Sequence, residues 1–290
     1  MQNPHLSINF FVVFEPSYAL GCLATLSSLA RQASAPVAVD LIMRDSYRGA
    51  AQSVMTKLRE AHGEKIQLRE IVVPPAILEK CDSFQFKAHF IPEILFRLFY
   101  FDMAEIRSDY VVYLDIDMLV LRDPYLIAAD LTEPALLHAV EVTLLEHSRP
   151  VTPPRMTRYL NSGFMVFDAR NRAAIAAAMH RTQEIVESIA SRSLYLDQDA
   201  VNIAFYDDLH YLPQRWNFTL QHFSGYPLPS DIVILHASGS RKPWFFRGGH
   251  PFTRWYEQEA DLLNLGFFAR HDFWWVFRRL LKKAKMLVGR

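Results

Sequence analysis

Tyr110-Val111-Val112-Tyr113-Leu114-Asp115-Ile116-Asp117 is an apolar run that ends in two carboxylates one residue apart. Its β-branched and aromatic residues predict a buried strand. Asp115 and Asp117 then stand where that strand leaves the sheet. In open α/β sheets, ligands bind at that end. Two close carboxylates repel each other, so the pair suits a hard divalent cation such as Mg2+ or Mn2+. A cation there would neutralise a diphosphate, which points to a metal-dependent enzyme and a nucleotide-linked substrate. Asp-x-Asp also occurs in solvated loops and at helix starts, so the rest of the chain must decide.

Outward from that strand, residues 7–14 read as a first buried strand and residues 18–31 as a helix. Residues 37–43 form a second strand, 49–61 a second helix, and 66–73 a third strand closed by Pro74-Pro75. This β-α-β-α-β start predicts a parallel sheet covered on both faces. Residues 92–105 read as a helix with Pro92 in its first turn. Residues 135–141 read as another strand. Residues 143–158 are polar and proline-rich, as in a surface loop or lid. A strand over 162–167 and an alanine-rich helix over 172–190 follow. A helix over 197–206 then has acidic residues in its first turn. A last short strand over 232–235 ends at His236. The expected class is α/β, with a mixed, mainly parallel central sheet flanked by helices. One domain spans 1–265, and a tail spans 266–290.

Composition narrows the function classes. Hydrophobic residues make up 51% and charged residues 21% of the 290, which fits a globular chain rather than a disordered one. Lys+Arg and Asp+Glu are equal at 31 each, so global charge gives no reason to expect nucleic acid. Cys22 and Cys81 are too few for a disulfide scaffold or a thiolate zinc cluster. Free thiols are expected, in a reducing compartment. The N-terminus has no basic n-region, and no apolar stretch reaches the ~20 residues of a membrane-spanning helix. A cytoplasmic protein is expected.

Four further segments belong with Asp-x-Asp. Asn161-Ser162-Gly163-Phe164-Met165-Val166-Phe167-Asp168 is a polar turn running into a strand. Asp197-Gln198-Asp199-Ala200-Val201-Asn202 starts a helix, and Arg215-Trp216-Asn217-Phe218 lies in a loop. His236-Ala237-Ser238-Gly239-Ser240-Arg241-Lys242-Pro243-Trp244 follows the last strand. In this order, from about residue 8 to 244, the chain resembles glycosyltransferase family 8. That family includes glycogenin and the bacterial lipopolysaccharide and lipooligosaccharide galactosyl- and glucosyltransferases. The His-x-x-Gly-x-x-Lys-Pro-Trp string with an upstream Asp-x-Asp is the specific part.

The resemblance implies a GT-A-type fold and a retaining transfer of galactose or glucose from a UDP-sugar, forming an α-linkage, with Mn2+ as the usual metal and Mg2+ as the alternative. Asp115, Asp117 and His236 match the metal ligands. Gly239 and Lys242 match diphosphate contacts, and Arg97 an arginine near the donor. Asn161, Asp197 and Gln198 match positions that hold the transferred sugar and face its anomeric carbon. The chemistry of these residues is consistent with those roles. A neutral imidazole suits Mn2+ better than Mg2+. Metal and lysine stabilise charge growing on a departing diphosphate. Glycine admits close approach of backbone to phosphate. The neutral amide of Gln198 is no strong nucleophile, but its carbonyl could assist an oxocarbenium-like centre during front-side attack. Structural alternatives stay open: Arg97 as an ion-pair partner, Asp197 as a helix cap, Asn161 and Asn217 as turn residues. Asp199 and Asn202 read as structural.

Two departures stand out. Many members follow the first strand with Asp-Asp-x-Tyr, whose acid contacts uracil; here the run is Glu15-Pro16-Ser17-Tyr18. Glu15 and Tyr18 are carried over as donor contacts, but Pro16 removes the second acid and lacks a backbone donor. Near the next strand, Glu141 lies close to an acidic position that faces the acceptor in the bacterial galactosyltransferases. Glu146, His147 and Arg149 in the lid could touch an acceptor or be solvated.

In the tail, Phe273, Phe277, Leu280, Ala284 and Leu287 share one helical face with Trp274 and Leu281. Arg278, Arg279, Lys282, Lys283 and Lys285 populate the other side. Such a helix suits an anionic membrane interface, each basic residue contributing about 1 kcal/mol. Packing on the domain or in a dimer is the structural alternative. The bacterial transferases have similar tails, which implies a lipid-linked, lipopolysaccharide-like acceptor at the inner face of the cytoplasmic membrane. Two competing readings are weighed. Haloacid-dehalogenase-like phosphohydrolases also use Asp-x-Asp, but on the first strand and with a different continuation than Met118-Leu119. A degenerate transferase acting as a non-catalytic membrane- or glycan-binding module is the other, motivated by Glu15-Pro16.

Overall fold

Four parallel strands carry the first half of the sheet: β1 (Ile8–Val13), β2 (Val37–Met43), β3 (Ile66–Val72) and β4 (Tyr110–Leu114). The computed structural model describes residues 6–84, 91–142, 151–153, 155–239, 242–244 and 250–264. Three further strands, β6 (Leu137–Glu141), β7 (Leu160–Asp168) and β8 (Leu209–Leu212), complete a seven-stranded sheet in the order β3-β2-β1-β4-β7-β6-β8. β7 runs antiparallel to both β4 and β6, while β8 is parallel to β6. The sheet is therefore mixed and mainly parallel, as the sequence predicts.

The chain moves outward from β1 to β3 and then returns to place β4 on the other side of β1. The strand order reverses between β1 and β4, and in open α/β sheets the carboxyl ends at such a reversal frame a ligand-binding crevice. All of β4 is buried, which explains its unbroken apolar run. Alternate residues feed two cores: Phe10, Val12, Val112 and Leu114 on one face, Phe11, Val13, Val111 and Tyr113 on the other. β3 lies at the edge, and exposed Gln67 and Arg69 with half-buried Glu70 break its apolar run.

Helices cover both faces. In α2 (Arg48–His62), Ala51, Val54, Met55 and Leu58 make a buried stripe at helical spacing. α1 (Ala19–Gln32) is buried continuously from Gly21 to Ala30, because it lies between the large sheet and a second layer. That layer is a two-stranded antiparallel sheet of β5 (Met118–Val120) and β9 (Ile234–His236). β5 was not legible in the sequence, because three apolar residues have no period to read. α3 (Pro75–Ser83), β8 and the C-terminal helix α7 (Thr253–Leu262) also lay outside the expected elements.

One element differs in kind. Residues 92–105 were expected as a helix; the chain instead winds as a 3-10 helix over Pro92–Phe99 and passes into the short α4 (Tyr100–Met103). At three residues per turn, Glu93, Phe96 and Phe99 eclipse in one buried row. α5 (Arg172–Ile189) and α6 (Leu196–Ala204) fall where the sequence places helices. Cys22 and Cys81 are free, and burial raises both thiols to about 12. No described helix is long and apolar enough to cross a membrane. The tail from residue 266 and the lid residues Glu146, His147 and Arg149 lie outside the described residues.

Candidate active site

The two sheets together assemble the site. Asp115 follows β4 directly, and its N–H donates to Gly163 O on β7 at 2.8 Å. The antiparallel β4–β7 pairing thus sets Asn161-Ser162-Gly163, at the start of β7, beside the Asp-x-Asp turn. The β5–β9 pairing does the same for His236, which stands opposite Met118, one residue past Asp117. The Ala237 N–H donates to the Asp117 carbonyl at 2.9 Å, and the Tyr256 hydroxyl on α7 donates to the same oxygen.

Asp115, Asp117 and His236 each turn one donor atom inward, and the three atoms lie within 4.8 Å of one another. His236 Nε2 stands 3.2 Å from Asp117 Oδ1 and 3.6 Å from Asp115 Oδ2. An octahedral cation with bonds of about 2.1 Å holds neighbouring donors about 3 Å apart. Asp117 Oδ1 is buried without a hydrogen-bond partner, which a cation would supply. The remaining oxygens are spoken for. Asp115 Oδ1 accepts from the Tyr113 hydroxyl at 2.6 Å and from Arg97 at 3.1 Å; Asp117 Oδ2 accepts from Lys242 Nζ. The donor set of two carboxylates and an imidazole fits a divalent ion.

Burial alone would raise the Asp117 carboxyl, but the Lys242 ammonium outweighs it and holds the group well below the usual carboxylate range. For Lys242, burial disfavours the charge, and Asp117 restores and raises it. Lys242 also donates to Ala237 O at 3.0 Å, so its ammonium is anchored at the end of β9. Asp115, Asp117 and Asp197 face Arg97 and Lys242, leaving one net negative charge for a cation to cancel.

Arg97 is an ion-pair partner, as one of its two readings expects, and it lies among the site carboxylates. It is 2% exposed, pairs with Asp197 and Asp115, donates to Ser162 O and Oγ at 3.1 Å, and stacks over Tyr113. It ties two site carboxylates to β7. Asp197 does not cap α6: the cap position is Tyr195, and no side chain bonds there. Asp199 is structural, accepting from Tyr159 at 2.5 Å and Ser193 at 2.6 Å. Asn202 clamps both backbone groups of Leu160, docking α6 on β7.

Asn161 and Gln198 are neighbours, joined at 3.1 Å, and both are half-buried at the crevice. Gly163 lies beneath them. A Cβ there would come within 2.5 Å of His236 Cε1, 2.7 Å of Asp115 Oδ2 and 2.9 Å of Asn161 Oδ1, so only glycine fits. Gly239 has φ +94°, which glycine adopts freely, and faces open space. Trp244 packs against Tyr18 and Tyr256, seating the Lys-Pro-Trp end on α1 and α7.

Two carried-over residues have local partners. Glu15 accepts from the Ser17 N–H at 3.0 Å and from the Ser17 hydroxyl, capping the turn that Pro16 begins. Glu141, at the end of β6, pairs with Arg158 at 2.7 Å and bonds none of the other site residues. A cavity of about 490 Å3 lined by Phe223, Tyr226, His250 and Arg254 holds none of the site carboxylates. Tyr113, Ser162, Asn217 and Tyr256 are site residues that the sequence reading did not assign. Asn217 had one signal, a polar residue between Trp216 and Phe218; Tyr256 had none.

Comparisons with known proteins place the chain in a family. Lipopolysaccharide 1,3-galactosyltransferase of Salmonella typhimurium is 27% identical over 180 residues, 56% of this chain and 52% of that protein. Lipopolysaccharide 1,2-glucosyltransferase of Escherichia coli is 24% identical over 231 residues, 74% of this chain and 66% of that protein. The chain thus spans about half to two thirds of the length of these relatives. Among solved structures, the galactosyltransferase LgtC in complex with donor and acceptor sugar analogs superposes with a TM-score of 0.69 at 20% identity. That match covers 88% of this chain and 95% of LgtC, and shows a shared GT-A fold. The family model for glycosyl transferase family 8 matches residues 9–248, and the chain belongs to that family.

Proposed function

We propose that this protein is a retaining, metal-dependent hexosyltransferase. It would move galactose or glucose from a UDP-sugar to a lipopolysaccharide-like glycan, forming an α-linkage. The observation that carries the reading is the convergence of Asp115, Asp117 and His236 beside Lys242 at the β1/β4 crevice. Mn2+, held by those three side chains, would supply charge stabilisation to the departing UDP. The chain's own residues do the rest. Lys242 offers a fixed ammonium to the charge that grows on the diphosphate. Asn161 and Gln198 line the place of the transferred sugar. The Asp197 carboxylate is bonded to Arg97 and Ser162, which makes it a weak nucleophile. Attack by the acceptor on the same face as the leaving group then accounts for retention.

Replacing Asp117 tests the reading. Asp117→Ala is expected to lower hexose transfer by about 10²-fold or more, measured as UDP released with an acceptor extract. Full activity in that variant would refute the metal mechanism. The basic aromatic tail supports a site of action at the inner face of the cytoplasmic membrane, on a lipid-linked acceptor. Flotation with phosphatidylglycerol vesicles, but not with phosphatidylcholine vesicles, is the expected result for the full chain; equal flotation with both would contradict it.

A further inference from the structure

Asn217 is fully buried between the metal-facing and sugar-facing residues. Two backbone donors determine how its amide is turned. The Gly163 N–H donates to Asn161 Oδ1 at 3.1 Å, and the Ser162 N–H donates to Gln198 Oε1 at 3.1 Å. A backbone N–H can only donate, so both of those side-chain oxygens are placed. Asn161 Nδ2 then donates to Gln198 Oε1 at 3.1 Å. The Asn217 atom 2.8 Å from Asn161 Oδ1 must be a donor, which makes it Nδ2. Its other end, Oδ1, faces His236 Nδ1 at 2.8 Å and accepts from it. Nδ1 therefore carries a hydrogen, and Nε2 is the nitrogen turned to Asp115 and Asp117. Reversing the Asn217 amide would set two acceptors face to face in a buried site.

The backbone around Asn217 is held on every side. Trp216 Nε1 and Arg215 both donate to Asp130 at 2.6 Å. The Phe218 N–H donates to Ile234 O at 3.0 Å, and the His236 N–H donates to Phe218 O at 3.0 Å. The segment that offers the amide is thus stitched to the strand that offers the imidazole.

We infer that Asn217 is a positioning residue. Through it, two β7 backbone amides fix His236 as the Nδ1–H imidazole and join the cation-facing ring to Gln198 in one hydrogen-bonded unit. The inference rests on the metal-dependent reading above and adds to it a residue outside the ligand set. Groups that orient a ligating histidine typically carry a 10- to 100-fold effect on metal affinity.

The test is Mn2+ binding to the full-length protein without nucleotide, followed by the electron paramagnetic resonance signal of free Mn2+. Asn217→Ala is expected to weaken binding about 10- to 100-fold. Asn217→Asp still accepts from Nδ1 but cannot donate to Asn161; it is expected to regain Mn2+ affinity while hexose transfer stays low. A folded Asn217→Ala protein with wild-type affinity, or an Asp variant as weak as the Ala variant, overturns the inference. Long-range 1H–15N spectra of the metal-free wild-type protein provide a readout independent of variant folding. A hydrogen on His236 Nδ1 is expected, and its absence overturns the inference. Failure of the wild-type protein to bind Mn2+ would instead count against the metal reading, while the Nδ1 result still judges the relay.

Discussion

At the scale of single residues, the site is built by exclusion as much as by attraction. Gly163 leaves room for one hydrogen only between His236, Asp115 and Asn161. Its backbone also anchors the turn, since Gly163 O accepts from the Asp115 N–H. Adding a methyl group there pushes His236 and Asp115 apart, so Gly163→Ala is expected to weaken Mn2+ binding by about tenfold or more. The melting temperature should drop only modestly, because the neighbours it strikes are crevice side chains. Calorimetric Mn2+ titration with a parallel thermal melt checks both; unchanged affinity would contradict the packing. Asp115 and Asp117 stood out as a carboxylate pair after a buried strand and His236 through the family resemblance, and the structure brings the three together. The contacts of Asn217 and Ser162 were not legible, although both stand in the segments that carry the resemblance, because their partners lie 19 and 65 positions away.

At the scale of elements, continuous apolar strands could be read, and so could the short β9 before His236, but β5 and β8 could not. β1, β2 and β4 are runs whose burial on both faces writes itself into composition. β5 and β9 have three residues each, yet they deliver His236 to Asp117. The 3-10 winding over Pro92–Phe99 was read as an α-helix because apolar spacing does not separate three residues per turn from 3.6. The β6–β8 pairing places His138 in register with His210, their rings 5.6 Å apart. Burial, reinforced by His210, lowers His138 to about 4. The unfolded chain binds this proton below about 6.5, where the folded chain does not. Stability from His138 is therefore complete at neutral pH and is lost as pH falls through that window. The loss amounts to up to about 3 kcal/mol. Urea unfolding midpoints are expected to fall less on acidification in His138→Leu than in the wild type. Parallel declines would contradict this assignment.

At the scale of the whole molecule, topology explains why a neutral chain holds a locally charged centre. The strand order reverses between β1 and β4, and the β5–β9 pairing brings His236 to the Asp-x-Asp turn there. Three carboxylates and two cations are concentrated there, while the chain as a whole balances 31 against 31. A dication held there, as proposed, would reverse the sign of that centre and suit it to a diphosphate. Family membership agrees with this arrangement. The most direct measurement is UDP release from a panel of UDP-sugars without acceptor, with Mn2+ and with EDTA. Slow hydrolysis of one UDP-hexose that requires Mn2+ is the predicted result. Hydrolysis undiminished by EDTA, or no Mn2+-dependent UDP binding at all, would contradict a metal-assisted transfer at Asp115, Asp117 and His236.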